Sequence, residues 1–238
     1  MTLPLYLAMT NAEISANRLH SGRCAYMACH FSPYDKGLSN FPKIFPEGSM
    51  LIVNDQMPPQ GHDPARIGRQ LSQWVSDHRA DCVLLDLQRP GNEETRQIVS
   101  EILACCPCPV GVSHPYAKGY DCPVFLPATP LNHTLADHLQ PWQGREIWLE
   151  IALDRLSITV DSSGSQFQAV PFDNDTVFPH KDEALHCAYQ IALSHSSARF
   201  TLQRTPENLN ALMQEAAHQG VCKAIGLYQE LASGDFLW

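Results

Sequence analysis

Residues 81–88 read DCVLLDLQ, a short apolar run that ends in two polar positions separated by one leucine. Side chains alternate between the two faces of a β-strand. One face of this strand is wholly apolar and comprises Val83, Leu85 and Leu87. If that face packs under helices, Asp86 and Gln88 both point to the opposite face, at the carboxyl end of the strand. The alternative is that Asp86 only caps the helix that follows.

Seven further apolar runs are similar to this strand and are separated by helix signals. The eight candidate strands are residues 3–9, 24–31, 50–53, 82–87, 110–113, 124–126, 147–153 and 221–228. Strands that alternate with helices form parallel sheets through crossover connections. Eight of them in 238 residues predict an α/β fold with one (β/α)8 TIM barrel, which typically has about 250 residues. We therefore expect a single domain over residues 1–238, with functional residues at the carboxyl ends of the strands.

Three helices have clear start signals. Asp63 is an N-cap residue followed by Pro64, and Asn92 precedes a second helix. Thr205, followed by Pro206, begins a third helix. Each of these helices leads directly into a candidate strand, as a barrel requires.

The segment after the seventh strand departs from the barrel pattern. Residues 156–160 and 167–170 flank the turn residues 162–164 and predict a β-hairpin inserted at the barrel mouth. We expect residues 171–181 to form a loop and the segment around 183–194 to be helical.

The strand at residues 81–88 resembles the Asp-Gly-x-Asp-x-Asp-x-Glu signature of the family 18, chitinase-like glycoside hydrolases. Asp81 matches the first Asp, Asp86 the last Asp and Gln88 the Glu. Cys82 and Leu84 replace the Gly and the middle Asp of the signature. The resemblance implies a TIM barrel with its catalytic positions at Asp86 and Gln88.

Two further regions extend the resemblance over nearly the whole chain. Residues 207–231 look like the family's last helix and its Gly-Gly-x-x-x-Trp strand, with Tyr228 at the position of the substrate-contacting Trp. Strand alternation predicts that Tyr228 points inward with Ala224 and Gly226, either as a sugar-stacking residue or as an aromatic plug of the core. In the region that resembles the sixth strand, Ala128 and Thr129 replace the family's Tyr and Asp.

The resemblance also implies what this site lacks. In family 18 enzymes the Glu protonates the leaving oxygen while the acetamide of the substrate attacks the anomeric carbon. The amide of Gln88 cannot donate that proton, and loss of a general acid costs about 10²–10⁴-fold in rate. Because Leu84 and Ala128 also replace the middle Asp and the Tyr, we expect no hydrolysis by the family mechanism.

Other polar residues near strand ends are candidates for a different chemistry. Glu150 alternates with the apolar residues of the seventh strand, so we expect it inside the barrel, where burial raises the pKa of a carboxyl group. It is either a catalytic acid near Asp86 or a structural carboxyl group that internal hydrogen bonds satisfy. The further ligand-binding candidates at the mouth are Asp55, His30, His114 and Tyr116.

Charge and hydropathy disfavour two classes of partner. The formal net charge of -9, without a basic run, argues against a nucleic-acid partner. No segment reaches the roughly 20 apolar residues that a membrane span needs, and the first apolar run has no positive leader. We therefore expect a soluble cytoplasmic protein with no membrane partner.

The chain has nine cysteines, an odd number, and is long enough to build a core without disulfides. We interpret the cysteines as mostly reduced. Residues 105–108 read CCPC and contain a Cys-x-x-Cys spacing, but no second pair or nearby His completes a zinc site. We expect neither a metal nor an organic cofactor.

These observations leave three functions open. The first is a barrel that binds a glycan or another small polar ligand through Asp86, Gln88 and Tyr228 without hydrolysis. The second is an active glycoside hydrolase that uses Glu150 or Asp86 as its acid. The third is a protein-interaction scaffold that uses the hairpin around residues 162–164. The sequence predicts no particular oligomeric state.

Overall fold

A closed barrel of eight parallel strands forms the centre of the molecule in the computed structural model, which describes residues 3–17, 24–173 and 175–232. Its strands are β1 (Leu5–Met9), β2 (Cys24–Phe31), β4 (Met50–Asn54), β5 (Cys82–Asp86), β6 (Val110–Ser113), β7 (Val124–Leu126), β8 (Ile147–Ile151) and β14 (Val221–Leu227). The short strand β3 (Leu38–Ser39) pairs with β2 outside the barrel. Pairing of β1 with both β14 and β2 closes the barrel. The predicted TIM barrel and its eight strands are confirmed, while the two ends of the predicted domain, at residues 1–2 and 233–238, lie outside the described residues.

Helices connect most of the barrel strands, and the three helices whose starts the sequence predicts begin at those residues. They are α1 (Asn11–Asn17), α2 (Pro64–His78), α3 (Glu93–Cys105), α4 (His114–Ala117), α5 (Leu135–Leu139), α6 (Pro206–His218) and α7 (Tyr228–Leu231), with a 3-10 turn at Gln140–Trp142. The side chains of Asp63, Asn92 and Thr205 accept hydrogen bonds from first-turn amides of α2, α3 and α6. These caps satisfy amides that have no partner within the helix, which fixes the start of each helix. Among the described residues, no helix combines the length and apolar character needed to cross a membrane.

The strands separate two apolar layers, as the alternation along β5 predicts. Val83, Leu85 and Leu87 belong to the outer layer, together with Ile67 and Leu71 of α2. The inner layer consists of Tyr6, Ala8, Ala25, Met50, Ile52, Cys82, Leu84, Phe125, Trp148 and Ile225, with Met27 against it. The barrel interior is therefore a packed core and not a channel.

Trp148 of β8 is the largest fully buried side chain, with 0% exposure, and it belongs to the inner layer. Its indole Nε1 donates a hydrogen bond of 2.8 Å to Glu146. Gly111 lies on β6, separated from β8 by one strand, and an added Cβ there would be 2.3 Å from Cε3 of the indole ring. Only glycine leaves space for the ring at this position.

An antiparallel sheet of five strands follows the seventh barrel strand, β8. In chain order its strands are β9 (Arg155–Asp161), β10 (Gly164–Ala169), β11 (His180–Asp182), β12 (Cys187–Leu193) and β13 (Ser197–Gln203), and their spatial order is β10-β9-β13-β12-β11. The segment predicted as a β-hairpin insertion contributes β9 and β10, which pair with each other, and β9 also pairs with β13 in a larger sheet. The predicted helix around residues 183–194 is wrong, because Cys187–Leu193 forms β12. Its apolar residues Tyr189, Ile191 and Leu193 alternate with period two, and β12 pairs with β13 along its length.

The inserted sheet is attached to the barrel through a buried arginine. Arg204, directly after β13, is fully buried, and its guanidinium donates to the carbonyl of Thr129 in the loop after β7 at 2.9 Å. The backbone N–H of Arg204 donates to the carbonyl of Asp154 at 2.9 Å. Leu131, Cys187 and Leu202 form an apolar cluster at the same junction. The base of the insertion is therefore held against the β7 loop at the barrel mouth.

Gly111→Ala tests the contact with Trp148. We expect this substitution to lower the free energy of unfolding by about 1–3 kcal/mol, since the added methyl group overlaps a ring that the inner layer holds in place. Urea unfolding measures the change. Gly91→Ala is the matched control, because an added Cβ there meets its nearest atom at 3.6 Å, an ordinary contact. Equal stability of the Gly111→Ala protein and the wild type would show that the indole ring can move aside.

Candidate ligand-binding site

A cavity of about 140 Å³ lies at the carboxyl ends of the barrel strands. Its polar side chains are Asn54, Asp86 and Glu150, at the ends of β4, β5 and β8. The remaining lining consists of Ala8, Met27, Ile52, Leu84, Phe125, Ile225, Gly226 and Leu227. Small-molecule pockets usually have volumes of roughly 300–1,000 Å³. This cavity therefore fits one substituent of a ligand, and the rest of the ligand would lie on the mouth above it.

Strand register brings two of the three polar side chains, Asn54 and Asp86, to the same level. Asn54 is the register partner of Asp86 on the neighbouring strand, and both end their strands. Glu150 lies on the inner face of β8, between Leu149 and Ile151 of the outer layer. The structure therefore places Glu150 inward, as the sequence predicts. The sequence analysis missed Asn54, although its place at the end of a barrel strand is the same signal that identified Asp86.

Asp86 and Gln88 lie side by side at the mouth, and the Gln88 amide donates a hydrogen bond to the Asp86 carboxylate. The Ser113 hydroxyl lies 3.4 Å from the same carboxylate oxygen and also donates to it. Burial raises the pKa of Asp86, and the negative charge of Asp55 adds to this rise. The hydrogen bonds from Gln88 and Ser113 oppose the rise but do not cancel it. Asp86 therefore holds a proton more tightly than an exposed aspartate does.

Glu150 has a similar electrostatic environment. Burial raises the pKa of Glu150, and the negative charges of Asp86, Asp154 and Glu230 raise it further. A long hydrogen bond of 3.4 Å from the backbone N–H of Ala128 opposes this rise. The cavity thus holds two carboxyl groups whose pKa values are both raised, so each stays protonated to a higher pH than an exposed carboxyl group does. Such carboxyl groups can donate as well as accept hydrogen bonds.

Asp55 does not line the cavity but holds the loop that carries Gln88. It is 4% exposed, and its carboxylate accepts hydrogen bonds from the backbone N–H groups of Gln88 at 3.0 Å and Arg89 at 2.8 Å. The Arg89 guanidinium in turn donates to the backbone carbonyl of Asp55 at 2.7 Å. The sequence predicts Asp55 as a ligand-binding residue. The structure instead places its carboxylate where it positions the backbone of Gln88.

The inward position predicted for Tyr228 is wrong. Tyr228 begins α7 and packs against the outer layer, while Leu227 lines the cavity in its place. The reason is a β-bulge near the start of β14: Val221 pairs with Ile147 and Lys223 with Trp148, which leaves Cys222 as an extra residue. An extra residue reverses the faces of everything after it. Ile225 consequently lies inside the barrel, and Gly226, which the alternation placed inward, faces Leu231.

The three other predicted ligand-binding residues lie outside the cavity. Tyr116 is 1% exposed, and its hydroxyl donates to the Arg89 carbonyl at 2.9 Å. The His30 ring contacts the Phe31 carbonyl and the Ser39 hydroxyl. Tyr116 and His30 therefore make hydrogen bonds to loops and strands around the mouth and do not line the cavity.

His114 lines a second cavity of about 350 Å³ beside α5. The other lining residues are Leu126, Pro127, His133, Asp137, His138, Pro141 and Trp142. Burial lowers the pKa of His114, and the nearby His138 lowers it further. Within residues 3–17, 24–173 and 175–232, no group of three or more His, Cys, Asp or Glu side chains is arranged to hold a metal ion.

Comparisons with known proteins give a likeness of fold only. No family model matches the chain, and no curated protein matches its sequence. Among solved structures, a chitinase from Chromobacterium violaceum ATCC 12472 matches with a TM-score of 0.58 at 8% identity, covering 95% of this chain and 93% of that chain. The spore cortex-lytic enzyme SleL of Bacillus cereus matches with a TM-score of 0.57 at 8% identity, covering 94% and 69%. SleL of Bacillus megaterium QM B1551 matches with a TM-score of 0.52 at 8% identity, covering 94% and 70%. The chain shares the barrel fold of these chitinase and cortex-lytic structures.

Glu150→Gln tests the burial of the Glu150 carboxyl group. A carboxyl group with a raised pKa makes the folded state relatively more stable at low pH, and this contribution is lost as the pH rises through the raised pKa. Glutamine keeps an acceptor for the Ala128 amide but does not titrate. We therefore expect the variant to be more stable than the wild type at about pH 8, with the difference shrinking toward about pH 4. Urea unfolding across this range measures it.

Glu183→Gln is the matched control, since Glu183 is exposed on the inserted sheet. We expect it to leave the pH dependence of stability unchanged. A Glu150→Gln protein that is less stable than the wild type at about pH 8 would contradict the assignment of a desolvated carboxyl group.

Proposed function

We propose that this barrel binds a glycan or another small polar ligand at its mouth, through Asp86, Gln88 and Glu150, without hydrolysis by the family 18 mechanism. The hydrogen bond from the Gln88 amide to Asp86 is the observation that carries the proposal. Gln88, which the sequence resemblance matches to the family's proton donor, has no acidic proton and donates its amide hydrogen bond to Asp86. Such a site can recognise polar groups, but Gln88 cannot protonate a leaving oxygen.

The lining of the cavity suits a ligand that has one polar substituent and an otherwise apolar surface. The polar substituent would meet the carboxyl groups, and the apolar surface would meet the apolar walls. Asp86 and Glu150 can accept hydrogen bonds when ionised and donate them when protonated. Met27, Phe125 and Leu227 supply apolar walls, of which Leu227 is 37% exposed at the rim. Gln88 is exposed beside Asp86 and is therefore accessible to the part of a ligand that remains outside the cavity. A sugar ring combines these features, with hydroxyl groups at its edge and C–H groups on its face.

The fold guides the choice of ligands to test. The solved structures that share it are named as a chitinase and as spore cortex-lytic enzymes. Chitin oligomers and solubilised spore-cortex fragments are therefore the first probes for this chain.

A second candidate function is glycoside hydrolysis with a rearranged acid. It is favoured by the raised pKa values of Asp86 and Glu150 in one small cavity, a feature of catalytic sites. In this case Glu150 acts as the proton donor in place of Gln88. Turnover of aryl glycosides that Glu150→Gln abolishes would favour this function over binding alone.

Titration calorimetry with chitin oligomers and cortex fragments tests the binding proposal. We expect the wild type to bind at least one of these probes. Asp86→Ala and Glu150→Ala should each weaken binding about tenfold or more, since a hydrogen bond to a charged group contributes about 1.5–3 kcal/mol. His133→Ala, in the second cavity, is the matched control and should bind as the wild type does. Binding that depends on His133 but not on Asp86 or Glu150 would contradict the proposed site.

Gln88→Glu restores an acid at the position of the family's proton donor. We expect no measurable hydrolysis of N-acetylglucosamine oligomers, because Leu84 and Ala128 still replace groups that position the acetamide. The new carboxyl group would lie next to Asp86, and like charges at this distance raise at least one pKa. Stability of the variant should therefore fall, relative to the wild type, as the pH rises from about 4 to about 7. Hydrolysis at an enzyme-like rate would show that the positioning groups are still present.

A further inference from the structure

Two cysteine thiols contact each other at the amino-terminal end of the barrel, opposite the mouth. Cys106 directly follows α3, and Cys108 precedes Pro109 and the start of β6. Their sulfur atoms are 3.7 Å apart, and both residues are partly exposed. The two thiols lie in a short connecting loop with Pro107 between them. Neither belongs to the cavity at the mouth.

Two neighbouring cysteines, Cys105 and Cys82, have other contacts. The Cys105 thiol lies 3.9 Å from the carbonyl of Ile102 and packs against Gly68 of α2. Cys82 is fully buried in the inner layer of the barrel. The part of the chain that the structure describes has no group of three or more ligating side chains suited to a metal. Cys106 and Cys108 therefore form a dithiol of two residues and not part of a metal centre.

The contact between the two thiols shifts their pKa values in opposite directions. When the Cys108 thiol donates the hydrogen bond that joins the two sulfur atoms, the pKa of Cys106 falls to about 7, and the backbone N–H of Cys108 lowers it in the same direction. The same thiol hydrogen bond, burial and the negative charge of the Cys106 thiolate raise the pKa of Cys108. The thiolate is the form of cysteine that attacks a disulfide. Cys106 is thus the attacking thiol, and Cys108 is placed to resolve the product.

We propose that Cys106 and Cys108 are a thiol–disulfide exchange site that is oxidised reversibly by a small-molecule disulfide. The Cys106 thiolate attacks one sulfur of the small disulfide, which forms a mixed disulfide and expels one small thiolate. Cys108 then loses its proton and attacks the Cys106 sulfur, which forms the protein disulfide and expels the second small thiolate. Two protein thiols lose two electrons, and one small disulfide is reduced to two thiols. The sulfur atoms approach from 3.7 Å to about 2.05 Å, within a loop and not within a helix or strand.

Oxidised glutathione, applied to the reduced full-length chain, is the probe for this site. After exchange, the protein is denatured, its remaining thiols are alkylated, and its mass is measured. We expect the wild type to lose two of its nine alkylatable thiols without retaining glutathione. Fragmentation of the tryptic peptide 97–118 should place the link between Cys106 and Cys108, with Cys105 alkylated. Reduction with excess glutathione should restore all nine thiols.

Single variants separate the attacking thiol from the resolving one. Cys108→Ser should stop at the mixed disulfide and carry one glutathione on Cys106. Cys106→Ser should form no protein disulfide and react more slowly. Cys105→Ser and Cys222→Ser are the matched controls and should form the same disulfide as the wild type.

Two results would overturn the proposal. One is a wild-type chain that keeps all nine thiols or stops at glutathione adducts. The other is a disulfide that Cys105→Ser abolishes, because this would assign the reactive pair to different residues. The outcome does not depend on ligand binding at the mouth, since the dithiol lies at the opposite end of the barrel.

Discussion

The fit of the Trp148 indole against Gly111 is the constraint on which the rest of the structure depends. The ring lies in the barrel interior, where a side chain at Gly111 of β6, one strand beyond the neighbouring β7, would overlap it. Leu84 and Phe125 of the same apolar inner layer line the cavity at the mouth. The cavity is therefore small and confined to the mouth. When the interior of this fold is packed, functional residues lie at the strand ends and in the loops that follow them.

The apolar inner layer explains the electrostatics of the cavity. Asp86 and Glu150 lie above apolar side chains that cannot solvate a negative charge, so burial is the largest influence on both groups. Asp55 has a different role, because it uses its carboxylate to hold the backbone of Gln88 and Arg89. One carboxylate thus positions the loop, while the other two remain available to a ligand. This division of roles favours recognition of polar groups at a fixed mouth.

Because the barrel strands are parallel, the polar cavity and the dithiol lie at opposite ends of the barrel. The carboxyl ends of all eight barrel strands meet at the mouth, where the polar cavity and the inserted sheet lie. The loops that enter the strands lie at the other end, where Cys106 and Cys108 precede β6. The packed inner layer lies between these two ends.

The sequence by itself determined the features that depend on local pattern: the eight strands, the caps at Asp63, Asn92 and Thr205, and the inward faces of Asp86 and Glu150. Tertiary structure decided the features that depend on pairing between distant segments. The bulge at Cys222 exists only in the register of β14 against β8, and it moved Tyr228 out of the mouth and Leu227 into it. The segment around β12 became a strand because β13 supplies its hydrogen-bond partners. Local periodicity shows which residues share a face, but only the partner strand sets the register of those faces.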